Sequence, residues 1–243
     1  MIEHLRTVVR EHEASRPRSL QKTLGPSEAG SPCHRRIGYR YAETQAVNFD
    51  TDPWAAIVGT AVHAWLDNAF NGANERIDRE RYLTEVKVTL PGYLTGTADL
   101  VDLDERIVID HKVMGLTSLK RIKAEGPGQQ YRTQVHLYAA GLRLAGVDVD
   151  QVGIAAWSRS GGLRDAYFWT EPYDEALVED TLRRLDAIRF IAGQPGGVAM
   201  LPTAASFCSW CPYYLPGVLD VEQACPGHVE VRIQPNPTAT GDE

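Results

Sequence analysis

The chain has 243 residues, 43% of them hydrophobic and 23% charged, with a formal net charge of −7. That length accommodates one sizeable core, and no apolar run reaches membrane-spanning length, so a soluble cytoplasmic protein with no membrane partner is expected. The acidic balance excludes a general nucleic-acid coat protein but not a local basic track on a phosphate backbone.

In chain order, residues 1–15 read as a short charged helix, followed by a Gly/Pro/Ser-rich loop through Pro32. Arg16, Arg18, Lys22, Arg35, Arg36 and Arg40 form a basic cluster around Cys33, either solvated surface or a phosphate-backbone contact. Asp52-Pro53 supplies an N-cap and an N1 proline, and the apolar series from Trp54 to Ala69 marks a helix to about Phe70. His63 lies beside that apolar stripe, a packed core histidine or a ligand. The small Gly59 and Ala61 would let the helix approach another element closely.

Tyr82 to Leu90 alternates as a strand and Pro91-Gly92 turns the chain. A symmetric turn there places Thr84 opposite Asp99, so Glu85 would reach the acidic face only through a bulge. Next come two β-branched-rich runs around the polar pair Asp104-Glu105, a hairpin whose register sets Asp99 opposite Asp110. Lys112, two residues on, shares the face of Asp110, while Ile109 and His111 point the other way. Facing carboxylates repel, and burying one unpaired is costly. A divalent cation held by oxygen ligands would remove both penalties, with the lysine left to orient or deprotonate a water. A solvated sheet face is the plain alternative.

A flexible segment carrying Lys120, Arg121 and Lys123 follows, ending at Gly126-Pro127-Gly128. A helix then runs from about Gln129 to Ala145, with Gln134 and Tyr138 four apart on one side and Gln130 and Tyr131 nearby. That polar ladder is ordinary helix surface, or it lies over the acidic face holding a phosphate or a metal-bound water. Residues 151–158 and 164–170 read as a second hairpin around Ser160-Gly161-Gly162, and residues 174–191 as a long helix. The order is that of a mixed α/β sheet flanked by helices.

The tail holds Cys208 and Cys211 as C-x-x-C and then Cys225. With Cys33 these are all the cysteines of a cytosolic chain, where disulfides are rare. The grouping suggests soft-metal ligation, and the wide split between Cys33 and the tail favours an iron–sulfur cluster over zinc. His34 and His228 leave a zinc variant open, and four unligated buried cysteines are a further alternative.

With His63, Gly96-Thr-Ala-Asp99, Asp110-His-Lys112 and Gln134-x-x-x-Tyr138 in that order, the chain resembles the RecB-type branch of the PD-(D/E)XK nucleases. Its outlying cysteines resemble those of the iron–sulfur subgroup, which includes CRISPR-adaptation exonucleases and AddB-type nuclease domains. The resemblance implies a restriction-endonuclease-like fold forming one nuclease domain over 1–243, with its core at about 52–192 and a cluster-binding lobe from about 20–50 and 200–230. It implies that His63, Asp99, Asp110 and the backbone carbonyl of His111 hold Mg²⁺ or Mn²⁺. Lys112 would position the attacking water, and Gln134 and Tyr138 would contact the DNA end and support the metal site. Cys33, Cys208, Cys211 and Cys225 would bind a [4Fe-4S] cluster joining the two ends of the chain.

The activity so implied is a metal-dependent exonuclease on single-stranded DNA or DNA ends, in recombination, repair or CRISPR adaptation, with DNA and proteins of those processes as partners. A non-catalytic DNA-binding adaptor with the same fold is the alternative. Two departures from the subgroup stand out: aspartate rather than glutamate at Asp110, and thirteen residues between Cys211 and Cys225 where the subgroup has a short gap.

Overall fold

The computed structural model describes residues 1–15, 24–48, 52–91, 94–205 and 208–228. Five strands, β1 (Tyr82–Leu90), β2 (Leu94–Asp102), β3 (Ile107–Met114), β4 (Gln151–Ser158) and β5 (Tyr167–Pro172), form one sheet in chain order. Neighbours are antiparallel except β3 and β4, which run parallel. A parallel step needs a crossover. Residues 115–150 supply it through α5 (Leu116–Glu125) and α6 (Gln129–Leu144). The expected mixed sheet flanked by helices is present.

α6 has little amphipathic character because it is a middle layer. All ten residues from Thr133 to Leu142 are buried. Val135 and Leu142 pack on the sheet with Val88, Ala98, Val101, Val108 and Ile154. Leu137 joins a second core with Ile37 of α3 (His34–Tyr41), with Leu185 and Ile188 of α7 (Glu175–Ala192), and with Leu201. Across the sheet lies α4 (Trp54–Ile77), whose Phe70 packs against Tyr82 and stacks on His111.

Several expectations change. α4 continues past Phe70 although its apolar pattern fades, because Asn74 anchors the last turns by donating to Tyr82 O and accepting the N–H groups of Arg81 and Tyr82. The segment read as flexible after Lys112 is α5, which buries Leu119 and Ile122 and exposes Lys120, Arg121 and Lys123. The loop before Pro32 contains a one-turn helix, α2 (Pro26–Ala29). A Cβ added at Gly59 would meet nothing within 4 Å, so that glycine permits no close approach of α4.

The ends of the chain are knitted together. Arg35 donates to Leu201 O and Ala199 O, and Arg184 donates to Ser31 O and Ala29 O. Asn48 Nδ2 reaches Ser209 O and Cys211 O, while Val47 and Asn48 donate backbone N–H groups to Pro212 O. Arg40 pairs with Glu28 at 3.2 Å. Arg35 and Arg40, read from the sequence as solvated surface or a phosphate-backbone contact, serve these ties; Arg16, Arg18 and Lys22 lie outside the described residues. No helix among the described residues is long and apolar enough to cross a membrane.

Candidate active site

Asp99 sits where β2 and β3 part. Their register runs Asp102↔Ile107, Val101↔Val108, Leu100↔Ile109, as the Asp104-Glu105 hairpin predicts, and ends there, just before Asp99 and Asp110. Beyond that point the His111 N–H donates to Asp99 Oδ2 at 2.7 Å. The other Asp99 oxygen lies 3.4 Å from His63 Nδ1 on α4. His63, Asp99, Asp110, Lys112, Gln134 and Tyr138 all line one cavity of about 560 Å³.

On the α6 side these groups form a hydrogen-bonded chain. Gln134 Nε2 donates to Asp110 Oδ1 at 2.8 Å and to the Tyr138 hydroxyl at 2.9 Å. Lys112 Nζ donates to Gln134 Oε1 at 2.9 Å, lies 2.6 Å from Asp110 Oδ2, and sits 4.9 Å from the centre of the Tyr131 ring. Gln134 and Tyr138 lie on one side of α6, as their spacing predicts, and turn toward the acid. Gln130 instead ties α6 to the N-terminal segment by donating to Ser27 O at 2.6 Å.

Electrostatics separate the two acids. Burial pushes Asp110 up to about 6, helped by the charge of Asp99 and opposed by Lys112. Burial acts in the same sense on Asp99, but the His63 bond, the His111 amide and Lys112 outweigh it and hold that carboxyl below its ordinary range. Asp99 in turn raises His63 against the pull of burial. The imidazole of His111 faces the other side of the sheet, where Trp157 Nε1 donates to its Nδ1 at 3.4 Å and burial lowers it to about 4. His111 lines the cavity on that side of the sheet and not the acidic one.

The donor set suits a hard divalent cation. Carboxylate oxygens are ordinary Mg²⁺ and Mn²⁺ ligands, and an imidazole among them suits Mn²⁺ better than the harder Mg²⁺. Asp110 Oδ2 is buried and, although ion-paired with Lys112, accepts no aligned hydrogen bond. The Lys112 ammonium, 2.6 Å away, offsets much of the cost of burying that charge.

Glu85, expected to reach the acidic face only through a bulge, lines this cavity. Leu90 pairs with Leu94 rather than with Tyr93, so the register shifts by one from the symmetric turn: Thr84 faces Leu100 and Glu85 falls opposite Asp99. No bulge is needed. Among the described residues, Glu85, His63 and Asp99 bring ligand atoms within 4.8 Å of one another. The sequence signal was an acid at the centre of a strand of alternating polar and apolar residues.

Cys33, Cys208, Cys211 and Cys225 line a second cavity, together with Arg36, Tyr39 and His228. All four are free thiols, and burial raises Cys211. No three of their sulfurs lie within 4.8 Å of one another. A tetrahedral zinc, with Zn–S near 2.3 Å, would need them about 3.8 Å apart. Cys225 reaches the group because its N–H donates to Tyr213 O at 2.7 Å and its carbonyl accepts from Leu215, which closes the thirteen-residue loop back onto Cys211. His228 bonds Thr203 at the rim of that cavity; His34 is not on its wall.

No protein-family model matches the chain, and no curated protein does. Solved structures do. An alkaline exonuclease from Laribacter hongkongensis superposes with a TM-score of 0.51 at 14% identity, over 70% of this chain and 88% of that one. The protein SSO0001 gives a TM-score of 0.48 at 20% identity over 87% and 92%, and a phage-related exonuclease from Haemophilus somnus gives 0.40 at 13% over 69% and 92%. At these identities the likeness is one of fold, and it is carried by the first of the three.

Proposed function

We propose that the protein is a metal-dependent deoxyribonuclease, an exonuclease hydrolysing phosphodiester bonds of single-stranded DNA or DNA ends, with Mg²⁺ or Mn²⁺ in the acidic cavity. The observation that carries this reading is the bonded chain Tyr138, Gln134, Asp110, Lys112 facing Asp99 and His63 across one cavity. The shared fold with an alkaline exonuclease supports the same reading.

In this reading His63, Asp99, Asp110 and the His111 carbonyl hold the divalent ion, which when bound lowers the pKa of a coordinated water and offsets phosphate charge. Lys112 brings a second positive charge to the attacking water and to the charge that develops on the phosphate. Gln134 sets the position of that ammonium, since one amide group accepts from Lys112 and donates to Asp110. Tyr138 fixes the amide in turn. The exposed cations of α5, with Tyr131 and Trp210 as stacking surfaces, would follow a single strand.

The four thiols are assigned a structural [4Fe-4S] cluster. The cavity that all four thiols line supports that assignment.

The test is anaerobic purification with metal analysis, followed by digestion of end-labelled single-stranded DNA with and without EDTA. Cleavage that needs Mg²⁺ or Mn²⁺ and disappears in Asp110→Ala is the expected result. Retention of DNA with no cleavage under any divalent ion would replace the nuclease with a binding adaptor.

A further inference from the structure

The sheet carries a second hollow, on the face of β3 that Asp110 and Lys112 turn away from. His111, Ala155 and Phe168 pair across β3, β4 and β5 in one row, so a methyl group lies between two rings. Strands two apart are separated by about 9.6 Å, and a flat ring with a neighbour on each side takes about 7–8 Å. The row therefore leaves room for one further ring. A Cβ at Gly153 would stand 2.9 Å from Phe168 Cζ, so a glycine there lets the Phe168 ring lean over β4. Phe70 stacks on His111 at 6.0 Å between centres, and Trp157 meets it edge-on at 5.9 Å. The resulting cavity measures about 290 Å³, and none of its lining residues carries a carboxylate, an ammonium or a guanidinium.

One polar group enters this aromatic hollow. The His111 side chain belongs to a residue only 4% exposed, and its Nδ1 accepts from Trp157 Nε1, which leaves the ring proton on Nε2. Among the described residues Nε2 makes no hydrogen bond and is not sealed from solvent, so its N–H opens on the cavity. Phe168 is left 49% exposed, an apolar face that a stacked partner would cover. An aliphatic or phenyl side chain would fill the space but leave the imidazole N–H unanswered. A purine has both features the hollow asks for, a broad uncharged ring and acceptor nitrogens in its plane.

We propose that this hollow is a binding site for a purine base, stacked between His111 and Phe168 and accepting a hydrogen bond from His111 Nε2. The site is distinct from the acidic cavity, and the two share His111: its ring walls the hollow, while its backbone N–H holds Asp99 Oδ2 at 2.7 Å. A bound base that moves the ring therefore moves the amide that positions Asp99, and slows cleavage. That consequence rests on the nuclease reading; the binding does not.

The experiment is calorimetric titration of the full chain with 2′-deoxyadenosine in EDTA, which disables any divalent ion, with deoxyribose 5-phosphate as the ligand lacking a base. Saturable binding of the nucleoside and none of the sugar phosphate is expected. Phe168→Ala removes an exposed ring and should weaken binding by about tenfold or more, the scale of one lost stacking contact. Ala155→Leu fills the floor and should abolish it, with melting in the same buffer reporting that each variant is folded. A deoxyadenosine hexamer that binds more tightly than the nucleoside, and loses that advantage in Phe168→Ala, would identify the base as one carried by a DNA strand; equal affinity would identify a free nucleoside or nucleotide. No binding to wild type, or unchanged affinity in Phe168→Ala, would overturn the site and leave the nuclease reading standing. So would a wild-type dimer that Phe168→Ala dissociates and the nucleoside does not touch, since a second copy would then cover the rings. Binding with no cleavage under any divalent ion would remove the nuclease and keep the site.

Discussion

One oxygen of Asp99 accepts the backbone N–H of His111 at 2.7 Å, and the other faces His63 Nδ1 at 3.4 Å. The same side chain therefore holds the splayed strands together and presents charge to the cavity. The two duties are separable by substitution.

Asp99→Asn keeps an acceptor for the His111 amide and removes the charge. It is expected to melt close to wild type while DNA cleavage falls by about 10³-fold or more, the scale of losing a transition-state electrostatic contact. Asp99→Ala loses both functions. Its His111 N–H is left without an acceptor, which costs about 1–3 kcal/mol, and it should melt measurably lower than the Asn variant. Equal melting of the two would mean that the bond to His111 contributes nothing.

Asp110 binds a proton more readily in the fold than in the unfolded chain, about 6 against an ordinary 3.8. Stability contributed by that proton is complete below about pH 4 and is lost as pH rises through 6, so the metal-free protein bears the cost of the buried charge above that point. The cost is on the order of 3 kcal/mol. Wild type in EDTA should thus lose stability relative to Asp110→Asn between pH 4 and 6, by denaturant titration. A cation must also displace this proton, so apparent Mn²⁺ affinity should fall by about tenfold per pH unit below pH 6. Lys112→Met removes the cation that opposes protonation and should move that fall to higher pH. A pH-independent affinity would contradict the assignment of Asp110.

Gly96 lies where α2, β2 and α6 meet. A Cβ there would stand 2.8 Å from Pro26 Cδ and 3.0 Å from Tyr138 Cε1. Gly96→Ala should cost about 1–3 kcal/mol of stability and displace Pro26 or the tyrosine. Because Tyr138 orients Gln134, cleavage should fall further than the melting temperature alone explains. Wild-type melting and cleavage in this variant would show that the wall yields freely.

Cys33→Ser and Cys225→Ser come from opposite ends of the chain yet line the same cavity. Each is expected to lose absorbance near ~400 nm and bound iron, and each should lower the melting temperature to a similar extent. Loss of zinc with no change in visible absorbance would replace the cluster with a different metal.

Much of this arrangement is legible in the sequence because charge punctuates it. The polar pair Asp104-Glu105 between apolar runs sets the β2 to β3 register, and that register places Asp99 and Asp110 at the point where the strands part. Pro91-Gly92 is a poorer guide. Both residues fit a two-residue turn, but the ladder closes at Leu90↔Leu94, and the shift of one residue conceals Glu85. α5 is hidden by its lysines, since only Leu119 and Ile122 are buried. Their three-residue spacing is the signal a periodicity reading needs. The meeting of Cys33 with the tail depends on Arg35, Asn48 and Arg184 reaching distant carbonyls, contacts for which no local pattern exists.

Gly25, Pro26 and Ser27 wall the acidic cavity, and Cys33 lines the sulfur-bearing one, so a single short ribbon spans both chambers. Oxidation at its cysteine end is therefore expected to disturb the wall that Gly25, Pro26 and Ser27 give the acidic cavity. Hydrogen peroxide is accordingly expected to lower any DNA cleavage at doses that leave the melting temperature unchanged, which parallel digestion and melting of one treated sample would read.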